Sequence, residues 1–293
     1  MMDFQPLIEP SEKKPRFQFL NRGTRWNTLR DQFTITSWLC FGAILQLLAV
    51  SIIPIRYAML PPILILTLYT LDTLLITLGL KSNPMLRGVI DRKFSAQLPD
   101  AHGNFGSKPA SQPLVVFLLG ARINHPLGML APGVKQLSEY GESMYAQLGP
   151  KSSEYGLLGQ SFLTNNVSTS KNEFMALMYW RSVEDLHAYA HGPLHREAWD
   201  WWNKTQKQWP HIAIYHETYA VPAGAYETIY AHSKPTGLAA AVIEVEREKG
   251  KKEWVTPVVD CRKGVLKTSA GRMARSEGRE HEGYLEAEYS EKV

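Results

Sequence analysis

The sequence predicts an α+β domain of split β-α-β order, carried behind a pair of membrane-spanning helices. Three observations predict it: two long uncharged or nearly uncharged apolar runs near the N-terminus, short apolar runs alternating with amphipathic stretches between residues 113 and 240, and a loss of that patterning afterwards. With 44% hydrophobic and 11% aromatic residues the chain can bury a core. Its net charge of +4 is too mild for a nucleic-acid binder, and its basic residues gather beside the apolar runs. Cys40 lies in an apolar run and Cys261 in a charged one, so no disulfide framework is expected and a reducing compartment is the natural reading.

The first run, Phe33 to Ile55, is 23 residues without a charge, more than the roughly 20 a helix needs to cross a bilayer. The second, Pro62 to Leu80, is 19 residues, about 28 Å as a helix. Pro61 and Pro62 place its start, since proline suits the first helical turn. Asp72 falls near its middle, at a cost of about 3 kcal/mol on insertion scales, which the surrounding leucines offset. An antiparallel hairpin sets Asp72 at the depth of Gly42 to Gln46. A protonated Asp72, or one bonded to Gln46 across a close contact at Gly42, is therefore expected. Lys13, Lys14, Arg16, Arg22, Arg25 and Arg30 precede the hairpin, and Lys81, Arg87, Arg92 and Lys93 follow it. Only Arg56 lies in the turn. The positive-inside rule then puts both termini in the cytoplasm, with the endoplasmic reticulum as the expected membrane. The sequons at Asn166 and Asn203 would stay unmodified.

The chain is thus read as a basic N-terminal segment (1–32), a hairpin (33–55 and 62–80), a linker (81–112), a folded domain (113–240) and a charged, mostly disordered tail (241–293). The linker reading rests on the Pro, Gly, Ser and Asn between Leu98 and Pro113. The tail reading rests on eight charges among the ten residues Glu244 to Glu253.

Inside the domain, Leu114 to Leu119 reads as a strand buried on both faces. Val134, Leu137, Tyr140, Met144, Tyr145 and Leu148 recur at three and four, which predicts a helix stopped by Gly149-Pro150. Strands follow at about 156–165 and 173–180. Ser182 then caps a helix from Val183 to Ala190, with acids in its first turn. His191-Gly-Pro interrupts it, a second stretch runs from Leu194 to about Gln208, and a last strand covers Ile212 to Tyr219. The order β-α-β-β-α-β is ferredoxin-like. Such a sheet leaves one face open, and a second copy would cover it, giving a two-fold dimeric α/β barrel.

The stretch Tyr179-Trp-Arg-Ser-Val-Glu-Asp-Leu-His-Ala-Tyr-Ala, followed by His191-Gly-Pro-Leu-His, resembles the second half of dimeric α/β-barrel proteins of the antibiotic-biosynthesis-monooxygenase type. The fuller pattern runs from Gly120-Ala-Arg-Ile-Asn through His195-Arg-Glu-Ala-Trp-Asp-Trp-Trp to the segment His216 to Tyr230. It is similar to a fungal, membrane-anchored branch that includes a monooxygenase of the fumagillin type of pathway. The resemblance covers about Pro113 to Ala240. It implies the fold, a homodimer and oxygen chemistry, in a superfamily that includes cofactor-free oxygenases, haem enzymes and proteins without known activity.

Among the residues, His187, His191, His195, Trp199 and Trp202 lie along one helical side. His195 is the expected base, since imidazole accepts a proton near neutral pH and Trp199 could wall an apolar pocket beside it. The bland reading packs the tryptophans on the sheet and leaves the histidines at a wet edge. Arg122 and Asn124, two apart at the first strand's exit, could hold an anionic oxygen; the bland reading has them bonding loop backbone. Tyr179 and His216 complete the expected pocket. His191 and His195 have the spacing of a zinc pair, but no HExxH is present and no metal is expected. The chain lacks a GxGxxG fingerprint, a Walker loop and a GxSxG elbow, and its α+β domain has no cysteine, so nucleotide-cofactor and thiol chemistry are excluded as readings.

The reading that follows is a membrane-bound monooxygenase acting with O2 on a hydrophobic small molecule such as a polyketide or terpenoid, without cofactor. Its partners are substrate, O2, membrane lipid and a second copy, and no nucleic acid. A non-catalytic metabolite-binding or scaffold protein is the first alternative, and a haem enzyme using His195 the second.

Overall fold

The computed structural model describes residues 3–15, 22–165, 171–247 and 250–276. It forms two compact units, one of Arg25–Val89 and one of Met1–Thr24 with Ile90–Val293.

The smaller unit carries most of helix α1 (Arg22–Asp31), then α2 (Ile35–Ile52), a short α3 (Ile55–Ala58) and α4 (Leu60–Thr77). Thr34 caps α2, its hydroxyl accepting from the Ser37 N–H at 3.2 Å. Pro54 separates α2 from α3, and Pro61 sits in the first turn of α4, where its missing N–H costs nothing. By length and composition, the stretches Ile35–Ile52 and Ile55–Thr77 are apolar enough to cross a membrane, and none of α2 or α4 is buried by protein. The expected Asp72 to Gln46 contact does not form. Lys81, just past the helix end, reaches back to the Asp72 carboxylate, while the Gln46 amide donates to the Ala58 carbonyl at 3.3 Å. A Cβ added at Gly42 would meet nothing within 4 Å, so no close approach is made there. A long lysine stem next to the helix end offers Asp72 a full opposite charge, which a neutral amide cannot match.

The larger unit is built on a four-stranded antiparallel sheet of β2 (Leu114–Ile123), β3 (Leu157–Asn165), β4 (Lys171–Trp180) and β5 (Ile212–Val221), in the order β3-β4-β2-β5. With α5 (Val134–Leu148) between the first two strands, and α6 (Val183–Ala190) and α7 (Pro193–Thr205) between the last two, this is the ferredoxin-like arrangement. β2 runs four residues beyond its predicted end because Gly120 to Ile123 continue both ladders. Ser182 caps α6 as expected, with the Asp185 N–H donating to its hydroxyl at 3.0 Å. Gly133 precedes α5 with φ 81°, and a side chain there would strike the Trp209 ring at 2.5 Å; this position requires glycine on both counts.

Alternation splits the strands between two faces. Val115, Phe117 and Leu119 face the helices and pack with Leu148, Ala176, Met178, Trp180, Leu186 and Tyr189. Leu114, Val116, Leu118, Gly120 and Arg122 face the other way. That second face is half sealed by the chain itself. Phe94, Ala96, Leu98, Leu238, Ala239, Ala241 and Val258 form one buried cluster with Leu114, against which Val116, Tyr179, Val221 and Tyr230 pack.

Two readings of organisation are corrected by this cluster. The stretch 81–112 is not a free linker: β1 (Phe94–Ala96) pairs with β8 (Val258–Asp260), and Ser95 and Gln97 are buried with their polar atoms bonded. The Gln97 side chain accepts from the Ala110 N–H at 2.7 Å and donates to Ser95 at 2.9 Å. The described residues 241–247 and 250–276 are folded too. β6 (Ile243–Glu246) pairs with β7 (Lys252–Val255), and their charges meet across the hairpin, Lys252 with Glu244 at 3.2 Å and Arg247 with Glu253 at 3.4 Å. Opposite charges brought close across the ladder suit a disorder-like composition to a hairpin. Residues 277–293 and the Asn166 sequon lie outside the described residues.

The N-terminal segment is also part of this unit. Pro6 bridges Val259, Ser11 bridges Trp254, and Lys14 donates to the Gly149 carbonyl at 2.8 Å with its ammonium over the Trp254 ring. Ser95 pairs with the same Val259, so the chain segments before and after the apolar hairpin flank one strand, β8. The hairpin is an insertion that leaves and re-enters a single folded unit.

Candidate functional site

α7 begins at Pro193, with Gly192 as its cap, which sets His195 in the first turn facing the sheet. The His195 ring bonds the Ala190 carbonyl and stands 6.2 Å from the Tyr189 ring. It is half-buried, and that burial holds its pKa below the ordinary 6.5. The neighbouring His191 and His216 push the same way, against the Ala190 bond. A neutral imidazole with one nitrogen committed to a carbonyl is a base with one free nitrogen.

His216 lies opposite Leu119 in the β2 and β5 ladder, on the helix-covered side, with its ring 5.5 Å from that of Phe117. Because β5 is an edge strand, His216 is exposed where the helices stop covering the sheet. Trp199, one turn beyond His195, is 52% exposed, whereas Trp202 packs onto a separate core with Ile123, Val134 and Ile212. His195 and His216 thus lie near one another between α7 and the sheet edge, with Phe117 against the His216 ring.

The other expected residues are not gathered there. Arg122 alternates to the opposite face and donates to Glu173 at 2.8 Å; Tyr215 donates to the same carboxylate oxygen at 2.8 Å. The Glu173 side chain is 6% exposed, so a buried carboxylate claims the Arg122 guanidinium. Tyr179 also lies on the far face, opposite Val116, in the sealed half, and burial pushes its phenol up to about 12. Asn124 is exposed just past β2, its backbone N–H donating to the His211 carbonyl at 2.7 Å. The oxyanion role expected of Arg122 and Asn124 beside His195 is therefore corrected: the period of two puts Arg122 behind the sheet from the imidazole.

Glu173 and Tyr215 were missed, although a signal existed. In β4 the row Glu173, Met175, Leu177, Tyr179 holds one acid among apolar residues, and Gly120 opposes Tyr215 across the ladder. A Cβ at Gly120 would meet the Tyr215 ring at 2.1 Å, so glycine there seats the ring flat on the sheet. Phe117 was read only as core.

A larger open groove of about 640 Å³ lies between α5 and α7, lined by Tyr140, His191, Arg196, Glu197 and Trp201 among others. It is a mixed-charge surface on the side of α7 away from the sheet, and it does not include His195. A half-buried imidazole whose pKa is lowered by burial outweighs volume here. Among the described residues no group of three or more His, Cys, Asp or Glu side chains is placed to hold a metal ion.

Comparison with known proteins bears on this site. Residues 114–238 match the family model described as monooxygenase af470-like. Monooxygenase af470 of Aspergillus fumigatus is 31% identical over 274 residues, covering 93% of this chain and 98% of the relative. Among solved structures, SnoaB, a cofactor-independent oxygenase from Streptomyces nogalater, is 14% identical and covers 37% of this chain and 93% of its own, with a TM-score of 0.25. An aldoxime dehydratase is 16% identical over 53% of this chain and 38% of its own, with a TM-score of 0.35. Likenesses this weak decide neither fold nor chemistry. The full-length relative does decide the family: the chain belongs to the monooxygenase af470-like family of oxidoreductases.

Proposed function

We propose that the protein is a membrane-bound monooxygenase that oxidises a hydrophobic secondary metabolite, a polyketide or terpenoid, with O2 and without a cofactor. The observation that carries the reading is the half-buried His195, its pKa lowered by burial and its ring fixed through Ala190 beside Tyr189, in a member of a monooxygenase family. His195 removes a proton from an activated methylene or phenol of the substrate. The resulting anion supplies the electrons that O2 needs, O2 adds at carbon, and loss of water leaves a carbonyl: CH2 and O2 become C=O and H2O. His216 and Trp199 bound the substrate's exposed side, and Phe117 forms the floor.

Two further parts belong to this reading. A second copy covers the unsealed half of the sheet face, where Leu163 is about half exposed. The hairpin anchors the enzyme in the endoplasmic reticulum membrane with both termini cytoplasmic. Its return to the same folded unit requires an even number of crossings, which supports that topology. Apolar substrates concentrate in the same bilayer.

The test is oxygen uptake by the detergent-purified protein with candidate phenolic polyketides and terpenoids, together with an absorption spectrum. The expected results are a colourless protein and a His195→Gln variant that folds normally while turnover falls by roughly 10²–10⁴. Full turnover in that variant would sink the base assignment. A stoichiometric Soret band would replace the cofactor-free mechanism with a haem one.

A further inference from the structure

Helix α6 ends in a way that α7 does not. The last carbonyls of a helix have no partner within it and must find one outside. At the end of α7 the backbone supplies it: Gln208 and Trp209 donate to the Thr205 carbonyl at 2.8 and 3.1 Å. At the end of α6 the His187 and Tyr189 carbonyls accept from the His191 and Gly192 N–H groups, each at 2.9 Å. Among the described residues, however, no backbone N–H reaches the Ala190 carbonyl between them and the break.

The cause is Pro193. A helix running on would offer Ala190 the N–H of residue 193 in a tight turn, or that of residue 194 in an α turn. Proline has no N–H, and its ring drives the residue before it out of the helical region. Gly192 is accordingly extended, with φ −65° and ψ 158°, and the Leu194 N–H does not meet Ala190. Glycine suits that corner, since a Cβ there would stand 2.9 Å from the Tyr189 carbonyl oxygen.

Side chains of α7 take the acceptors so freed. The Arg196 guanidinium donates to the His191 carbonyl at 3.4 Å, and the His195 ring takes the Ala190 carbonyl. A carbonyl only accepts, so the ring nitrogen facing it carries the proton, and a neutral imidazole then keeps its lone pair on the other nitrogen. The Tyr189 ring, edge-on to His195, stands on the same turn as that carbonyl.

We propose that Pro193 is a positioning residue: by withholding every backbone donor from the Ala190 carbonyl, it reserves that acceptor for His195 and fixes the imidazole in one tautomer and one orientation. This rests on the reading of His195 as the base, and it adds the residue that decides which nitrogen does the work.

The experiment uses the full chain in detergent with nitrogen-15 labelled histidine, as the parent, Pro193→Ala and Pro193→Gly, and with His195→Gln to assign the ring signals. At neutral pH the parent His195 should show one protonated and one bare nitrogen, the pattern of a single tautomer. Alanine at 193 returns the N–H and lets α6 run on into α7, so the two nitrogens should move toward an averaged position. With a substrate found by oxygen uptake, kcat should fall by roughly tenfold or more at nearly unchanged KM, because the base is misplaced and the substrate is not. Glycine returns the same N–H without favouring a continuous helix, and it carries both readings if the alanine variant does not fold. A single tautomer kept in the folded variant would overturn the proposal, as would averaged nitrogens in the parent. Loss of the single tautomer with turnover untouched would instead remove the base reading and leave the positioning of the ring standing.

Discussion

The two faces of the central sheet are covered by different means. On one side, α5, α6 and α7 pack by regular helical periodicity, leaving a gap at the edge strand where His195 and His216 meet. On the other, segments too short to show a sustained period, 94–98, 238–241 and Val258, close half the face around Leu114, and Arg122, Glu173 and Tyr215 occupy the rest. The helix side keeps an opening and a base. The far side keeps a tight cluster and a charge pair already joined by a hydrogen bond. On the proposed function the difference puts chemistry on the helix side and integrity on the other, although the sequence offers titratable residues to both.

The strongest way to break that comparison is to ask whether the far-side cover is core or ornament. Phe94 is fully buried and stacks on Tyr230 with centroids 5.0 Å apart; Trp180, its counterpart under the helices, is 1% exposed. Phe94→Ala should cost about 3–5 kcal/mol, as much as Trp180→Ala, because each leaves a large cavity in a packed cluster. Chemical denaturation followed by circular dichroism measures both. If Phe94→Ala melts like the parent chain while Trp180→Ala does not, the cover is peripheral and the face beneath it is free for other use.

The same contrast explains what the sequence disclosed. Elements between Leu114 and Val221 were legible because their apolar residues repeat at two or at three and four, and because Ser182 and Gly149 mark ends. The far-side cover was not legible, because its information is pairwise. Ser95 and Gln97 read as polar linker until each finds its partner, and Glu244 and Lys252 read as solvated charge until strand pairing sets them diagonally across one ladder. At the site, His195 and His216 were identifiable as residue types. The separation of Arg122 from them was hidden in alternation: Arg122 and Asn124 were placed on one side correctly by parity, but nothing in that count said which side the helices would take.

A second prediction sharpens the division of labour. Arg122 is about one-third exposed while Glu173 is buried, so Arg122→Ala removes a guanidinium from a carboxylate that folding has already taken out of water. The expected loss is about 1–3 kcal/mol, discounted for Arg122's solvent contact, and turnover per folded molecule should not change. Arg122→Ala with Glu173→Gln should cost less than the sum of the single changes, since the pair is lost together. A variant that folds at parental stability but loses turnover would show that the far face, and not the His195 groove, carries the chemistry.

The smallest effect is a pH dependence confined to the helix side. Burial lowers the pKa of His195 in the folded chain, so the unfolded chain, with its ordinary value near 6.5, binds this proton first. Stability then rises with pH wherever the unfolded state holds more protons, which means that it is complete above about pH 6.5 and falls as acid carries the protein through the window below it. His191, the C-cap of α6, and His216 on β5 also disfavour a charge on His195. Turnover should share this acidic limb, because only the neutral imidazole can take the substrate's proton. Glutamine at 195 removes the titrating group, so His195→Gln should flatten the stability curve between pH 5 and 7 while Arg122→Ala leaves its shape intact. An unchanged curve in His195→Gln would mean that His195 is not held neutral by the fold, and the groove would lose the property that makes it a site for a base.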